Sequence, residues 1–127
     1  MRCLIVDDNG PFLEVASASL ARDGLEVIGT ATTSTDALRQ VELERPDVVL
    51  VDVNLGGENG FELARQLVET FPELRTGVVL ISTRDEDDYG SLLAASPAAG
   101  FVRKTHLTAK AIREVVSARD LSDPAGR

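Results

Sequence analysis

Three aspartates, a serine and a lysine stand at the ends of short apolar runs. Asp7 and Asp8 follow residues 3–6, Asp52 follows residues 48–51, Ser82 follows residues 78–81, and Lys104 closes the run from Phe101. Carboxylates, a hydroxyl and an ammonium are the groups that hold a divalent cation and handle a phosphoryl group. In an open parallel sheet, ligands bind in the crevice outside the carboxyl ends of the strands, so residues that end separate strands converge although they lie far apart in sequence. Three carboxylates placed together repel one another unless a cation holds them. Mg²⁺ takes a few carboxylates and keeps several waters, and Lys104 adds a further positive charge.

Each group has a plainer use. Asp7 and Asp8 sit at a strand-to-helix turn, where aspartate is also a good helix cap. A lone Ser82 is a common turn hydroxyl, and a lone Lys104 is commonly solvated. Asp52 resists this treatment: it lies about eight residues before the next helix can start, too far to cap it, and an unpaired carboxylate there is costly to desolvate. Joint placement at strand ends raises all five residues above their separate readings.

The elements that must position them alternate. Apolar runs begin near residues 3, 25, 48, 78 and 100, and the segments between carry helical periodicity. The first helix starts after Gly10 with Pro11 at its first position, buries Phe12, Val15, Ala16 and Leu20, and ends at Gly24. The second begins at Thr33 to Asp36 in a capping-box-like start, buries Ala37, Leu38 and Val41, and stops at Pro46. The third follows the glycine-rich turn 56–60 and carries the stripe Ala64, Leu67, Val68 and Phe71, closed by Pro72. The fourth is expected from the acidic stretch 85–88, whose charges suit a helix N-terminus, to about Ala95. The fifth carries Ala111, Ile112, Val115 and Val116 and is expected to end near Arg119. The runs before Asp7, Asp52 and Ser82 are apolar throughout, as in strands covered on both faces, and right-handed crossovers then give a doubly wound three-layer sandwich.

Bulk properties narrow the function. The 127 residues make one domain, expected over residues 1–119, with 120–127 a flexible C-terminal tail. A net charge of −8 repels a phosphate backbone, so no direct nucleic-acid binding is expected. Cys3 is the one cysteine, which rules out an intrachain disulfide and suits a cytoplasmic location. No segment approaches the length of a membrane span or a signal-peptide core.

Taken together, these residues resemble the receiver domain of bacterial two-component response regulators over residues 1–119. The resemblance rests on Asp7-Asp8, on Val51 to Asn54 with the glycine-rich turn after it, on Ser82-Thr83, and on Gly100 to Lys104. It implies a flavodoxin-like fold, a five-stranded parallel sheet of order 2-1-3-4-5 in an α/β/α sandwich, whose switch point sets Asp7, Asp8 and Asp52 side by side. It further implies that Asp52 is the phosphoacceptor and that Asp8, Asp52 and the Val53 carbonyl bind Mg²⁺ directly, with Asp7 acting through water. Lys104 would contact the phosphoryl oxygens, Ser82 would move toward them, and Phe101 would be the aromatic switch, its alternative being a permanently buried ring. Asn54 and Arg84 occupy positions that tune phosphate lifetime. Thr105 stands where many receivers have proline after a cis peptide, and Pro97 stands where glycine is common.

The implied protein is not an enzyme beyond catalysing its own phosphorylation and dephosphorylation. Its expected partners are a sensor histidine kinase or phosphotransfer protein, and a homodimer or output protein docking on the face of helix 4, strand 5 and helix 5. Asp85, Glu86, Asp87 and Asp88 are expected at one end of that face, with Arg103, Lys110, Arg113 and Arg119 offering positive charge along its other side. A single-domain receiver is expected, against the receiver half of a helix-turn-helix transcriptional regulator or a phosphorylation-independent interaction module. An aspartate-nucleophile phosphatase would need a second acidic residue where Asn54 stands. A nucleotide-binding module would need a P-loop lysine that residues 56–60 lack.

Overall fold

The structure is a computed structural model that describes residues 1–122. Five strands, β1 (Arg2–Val6), β2 (Glu26–Ala31), β3 (Val48–Asp52), β4 (Val78–Ser82) and β5 (Gly100–Arg103), form one sheet. Its order is β2-β1-β3-β4-β5 and every pairing is parallel. Helices α1 (Gly10–Arg22), α2 (Ser34–Glu44), α3 (Gly60–Thr70), α4 (Ser91–Ala95) and α5 (Ala109–Ser122) connect and cover it. This is the flavodoxin-like sandwich and strand order implied by the resemblance.

Strands β3 and β4 are buried at every position, and β1 at every position after Arg2, because the sheet has a core on each side. Alternate residues of a strand point to opposite faces. Leu4, Val6, Val49, Val51 and Leu80 therefore pack toward α2 and α3, whereas Cys3, Ile5, Leu50, Val79 and Ile81 pack toward α1 and α5. The chain leaves β1 toward one face and β3 toward the other, and this divergence opens the crevice bordered by Asp7 and Asp52.

Local chemistry starts and stops the helices. Asn9, Thr33 and Asn59 cap α1, α2 and α3, their side-chain oxygens accepting from the backbone N–H of Phe12, Asp36 and Phe61. Residues 54–55 and 58–59 form a small antiparallel ladder before α3. Gly60 then fits under the end of β3, where an added β-carbon would collide with the carbonyl oxygen of Asp52. The α3 N-terminus is thus pressed directly against the backbone that carries Asp52.

Four expectations need correction. Val15 is 70% exposed, and Leu13 takes its place in the core: Leu13, Ala16 and Leu20 share a helical stripe at spacings of three and four, which Val15 misses. The fourth helix does not run from the acidic stretch to Ala95. Glu86–Asp88 forms a separate 3-10 turn, closed by a reciprocal Asp85–Asp88 capping box, and Gly90 at φ +48° breaks the path before α4. Helix α5 continues past Arg119 to Ser122, since no breaker precedes Pro124. Of the expected tail, residues 120–122 are therefore helical, and 123–127 lie outside the described residues. All described peptide bonds are trans, and Lys104–His106 forms a 3-10 turn.

Overpacking of a close backbone contact costs about 1–3 kcal/mol. Gly60→Ala is expected to lose that much in urea unfolding, whereas Gly57→Ala, whose β-carbon meets nothing within 4 Å, should change stability by less than about 0.5 kcal/mol. Equal effects of the two substitutions would refute the tight α3–β3 junction.

Candidate functional site

Asp7 ends the strand beside the one that Asp52 ends. Both are buried, while Asp8 is exposed at the rim. Because Asn9 caps α1, neither Asp7 nor Asp8 is spent on that cap. Asp7 instead accepts the Asn9 N–H on Oδ1 at 2.9 Å, and its Oδ2 lies 2.6 Å from Lys104 Nζ. The same ammonium is 3.4 Å from Asp52 Oδ2. It also lies 4.3 Å from the centre of the Phe12 ring, so one lysine from the end of β5 is fixed by two strands and by α1. Asp52 Oδ1 accepts the Asn54 N–H at 3.3 Å.

Asp7, Asp8 and Asp52 each offer a carboxylate oxygen, and the three atoms lie within 4.8 Å of one another. Gly56, at φ +65°, brings its loop against Asp8, where an added β-carbon would lie 3.1 Å from Oδ2. A cleft of about 430 Å³ opens over the cluster, with Asn54, Ser82, Arg84 and Lys104 also in its wall. Three carboxylates against one ammonium leave the site short of two positive charges. The donors are hard oxygens, as a Mg²⁺ ion requires. Burial first and the charge of Asp7 second push the Asp52 carboxyl up to about 6, against the opposing pull of Lys104 and the Asn54 N–H. The carboxylates thus carry more negative charge than the protein alone neutralises, and the residues fit a divalent cation.

The remaining expected residues fall around this centre. Val53 lines the cleft, and its carbonyl accepts the Gly60 N–H at 2.8 Å, which leaves one lone pair for a further contact. Ser82 is buried at the end of β4. Asn54 and Arg84 are exposed at the cleft mouth. Phe101 is half-buried and points to neither reading alone. Of the expected basic docking residues, Arg103 lies 3.9 Å from Asp85 of the same chain, and Arg119 donates to the Ala98 carbonyl at 3.2 Å. Their charge is thus partly committed within the fold.

Sequence reasoning missed Tyr89. Its hydroxyl lies 2.6 Å from Ser82 Oγ, and its ring packs between Phe61 and Phe101. The one signal was an aromatic residue closing an acidic stretch, which matches no spacing rule.

Comparison with known proteins places this geometry. The family model described as the response regulator receiver domain matches residues 3–117. The chain is similar to the response regulator GacA of Pseudomonas viridiflava, with 34% identity over 82% of this chain and 48% of the relative. It is also similar to the DNA-binding transcriptional activator DevR/DosR of Mycobacterium tuberculosis, with 36% identity over 78% of this chain and 46% of the relative. The chain thus spans about half the length of the curated relatives it matches. Among solved structures, the signal receiver domain of the response regulator NarL from Mycobacterium tuberculosis superposes with a TM-score of 0.77 at 30% identity, covering 91% of this chain and 95% of that one.

The raised Asp52 carboxyl links stability to pH. The folded state keeps the proton to higher pH than the unfolded chain, so ionisation inside the fold costs stability. That cost is absent below about pH 4, grows as pH rises, and is complete above about 6. Asp52→Asn should therefore unfold at the same denaturant concentration as the parent near pH 4 and be more stable by roughly 1–3 kcal/mol at pH 7 without divalent cations. A parent-to-variant difference that stays flat across this interval contradicts the buried, under-neutralised carboxylate.

Proposed function

This chain belongs to the response regulator receiver domain family, and on that premise we propose that Asp52 is its phosphoacceptor. Receiver domains are phosphoacceptors of two-component signalling that interact with histidine kinases or phosphotransfer proteins, and they bind Mg²⁺ through an aspartate cluster. The observation that carries the assignment to Asp52 is the pairing around Lys104: its Nζ lies 2.6 Å from Asp7 and 3.4 Å from Asp52, beside an open cleft.

In this reading an Asp52 carboxylate oxygen attacks the phosphorus of a phosphohistidine. The new O–P bond forms as the N–P bond breaks, and the imidazole leaves. Such transfers depend on positioning and charge neutralisation more than on covalent help from the protein. Asp7, Asp8, Asp52 and the second lone pair of the Val53 carbonyl would hold Mg²⁺, which when bound supplies positive charge to the phosphoryl oxygens and favours the ionised Asp52. Lys104 would neutralise the phosphoryl oxygens, and its contact with Phe12 limits its freedom to swing away. Ser82 then engages a phosphoryl oxygen, and Phe101 carries the change to the face of α4, β5 and α5. Asn54 and Arg84, at the mouth, set how readily water reaches the acyl phosphate. Catalysis goes no further than this protein's own phosphorylation and dephosphorylation.

The receiver unit of residues 1–119 signals in this reading through that face, to a second copy or an output protein. A second reading follows from coverage. Because relatives about twice this length include one named as a DNA-binding transcriptional activator, the chain also suits the receiver portion of a regulator whose other half binds DNA. Among the described residues no helix is long and apolar enough to cross a membrane.

Incubation with acetyl phosphate and Mg²⁺, followed by intact mass, should show one phosphoryl adduct that disappears in Asp52→Asn and falls sharply in chelator. An adduct that persists in the variant, or forms equally well without Mg²⁺, would reject Asp52 as the acceptor.

A further inference from the structure

Ser82 is already engaged. Its Oγ accepts the Arg84 N–H at 3.0 Å and shares a hydrogen bond of 2.6 Å with the Tyr89 hydroxyl. A serine hydroxyl has one proton and two lone pairs. A phosphoryl oxygen only accepts, so Ser82 must aim that single proton at it. In one sense of the Tyr89 bond the proton is spent on the tyrosine oxygen. In the other, both lone pairs are filled from the side of the loop after β4 and the proton is free, so a phosphoryl oxygen strains the Tyr89 bond only by drawing Oγ away from that loop. Either way the Oγ is anchored to that loop.

Tyr89 is well placed to bear on this. The 3-10 turn at Glu86–Asp88 returns the chain toward β4, and the Tyr89 N–H donates to the Glu86 carbonyl at 3.1 Å. Its half-buried ring meets Phe61 edge-on at 5.6 Å and Phe101 at 5.8 Å with a tilt of 57°. Phe61 is the second residue of α3, directly after Gly60 and its contact with Asp52. Phe101 has no hydroxyl and so makes no polar bond to Ser82. Among the described residues, Tyr89 alone joins a hydrogen bond at Ser82 to a ring contact at Phe101.

We propose that Tyr89 is a positioning residue that latches Ser82 through its hydroxyl in the unphosphorylated protein, so that recruitment of Ser82 by a phosphoryl group breaks this bond and frees the Tyr89 ring against Phe101. The proposal rests on the reading of Asp52 as phosphoacceptor and adds a residue between Ser82 and Phe101. Loading the site works against the latch, and removing the latch makes loading easier. Because the net contribution of one hydrogen bond is small, the effect is a change of several fold rather than an on–off switch.

The test uses the full chain with Mg²⁺ and beryllofluoride, a phosphoryl mimic that binds an aspartate carboxylate, with binding followed by fluorine NMR. Tyr89→Phe keeps the ring and removes the hydroxyl. It should bind beryllofluoride about two- to tenfold more tightly than the parent, and the gain should vanish when Ser82→Ala is present in both members of the comparison. Loosened packing would act in both backgrounds, so the double-mutant comparison separates latch from scaffold. Unchanged affinity in Tyr89→Phe, or an equal gain in the Ser82→Ala background, overturns the latch. Weaker binding also overturns it and makes the hydroxyl a phosphoryl ligand. If the parent itself binds no beryllofluoride, the Asp52 reading fails first and takes the latch with it. Tyr89 is the one tyrosine in a chain without tryptophan, so the parent's tyrosine emission should also change on saturation; a flat signal is a second refuting result.

Discussion

Like charges forced together at the ends of buried strands are the constraint around which this molecule is arranged. Asp7 and Asp52 end neighbouring central strands, where water is largely excluded and mutual repulsion is weakly screened. Lys104 meets both, and its reach depends on the stacking of β1, β3, β4 and β5, since β5 is the edge strand on the far side of β4. The parallel register therefore does chemical service. A slip of one residue in β3 or β5 would turn Asp52 or the approach to Lys104 to another face.

The same packing that creates the repulsion protects its geometry. Gly60 seats α3 under the Asp52 carbonyl, Gly56 holds its loop beside Asp8, and Phe12 backs the Lys104 ammonium. These contacts leave the carboxylates little room to move apart, so relief comes from added positive charge rather than from rearrangement. A site of this kind gains affinity for a divalent cation by being held in an unfavourable state without one. Around its rim the restraint weakens. The loop after β4 is built from a short 3-10 turn and a glycine at positive φ, and there the Tyr89 hydroxyl meets Ser82 while its ring meets Phe101.

Much of this was legible in residue types and spacing. Uninterrupted apolar runs marked the doubly covered strands, and the polar residues just beyond them marked the crevice, because the end of a strand is fixed by where burial stops. The order of the strands came from the family resemblance, since spacing does not encode it. Helix α4 was misjudged because acidic residues favour a helix start equally whether it continues or closes after one turn; Gly90 decided the matter, and an isolated glycine is tolerated in either case. Val15 misled because its apolar side chain suits a core, whereas the buried stripe of α1 runs through Leu13, Ala16 and Leu20 and leaves it facing solvent. Tyr89 was invisible because its role depends on a turn that returns seven residues to Ser82, a distance with no periodic signature.

The central claim is that the clustered carboxylates and Lys104 form one cation-deficient site at the strand ends. Backbone amide NMR during a Mg²⁺ titration tests it most directly. The account predicts saturable shifts concentrated at residues 7–9, 52–57, 82–84 and 104–106, and their loss in Asp8→Asn. Shifts that fail to saturate, scatter over the acidic surface, or survive that substitution would contradict it.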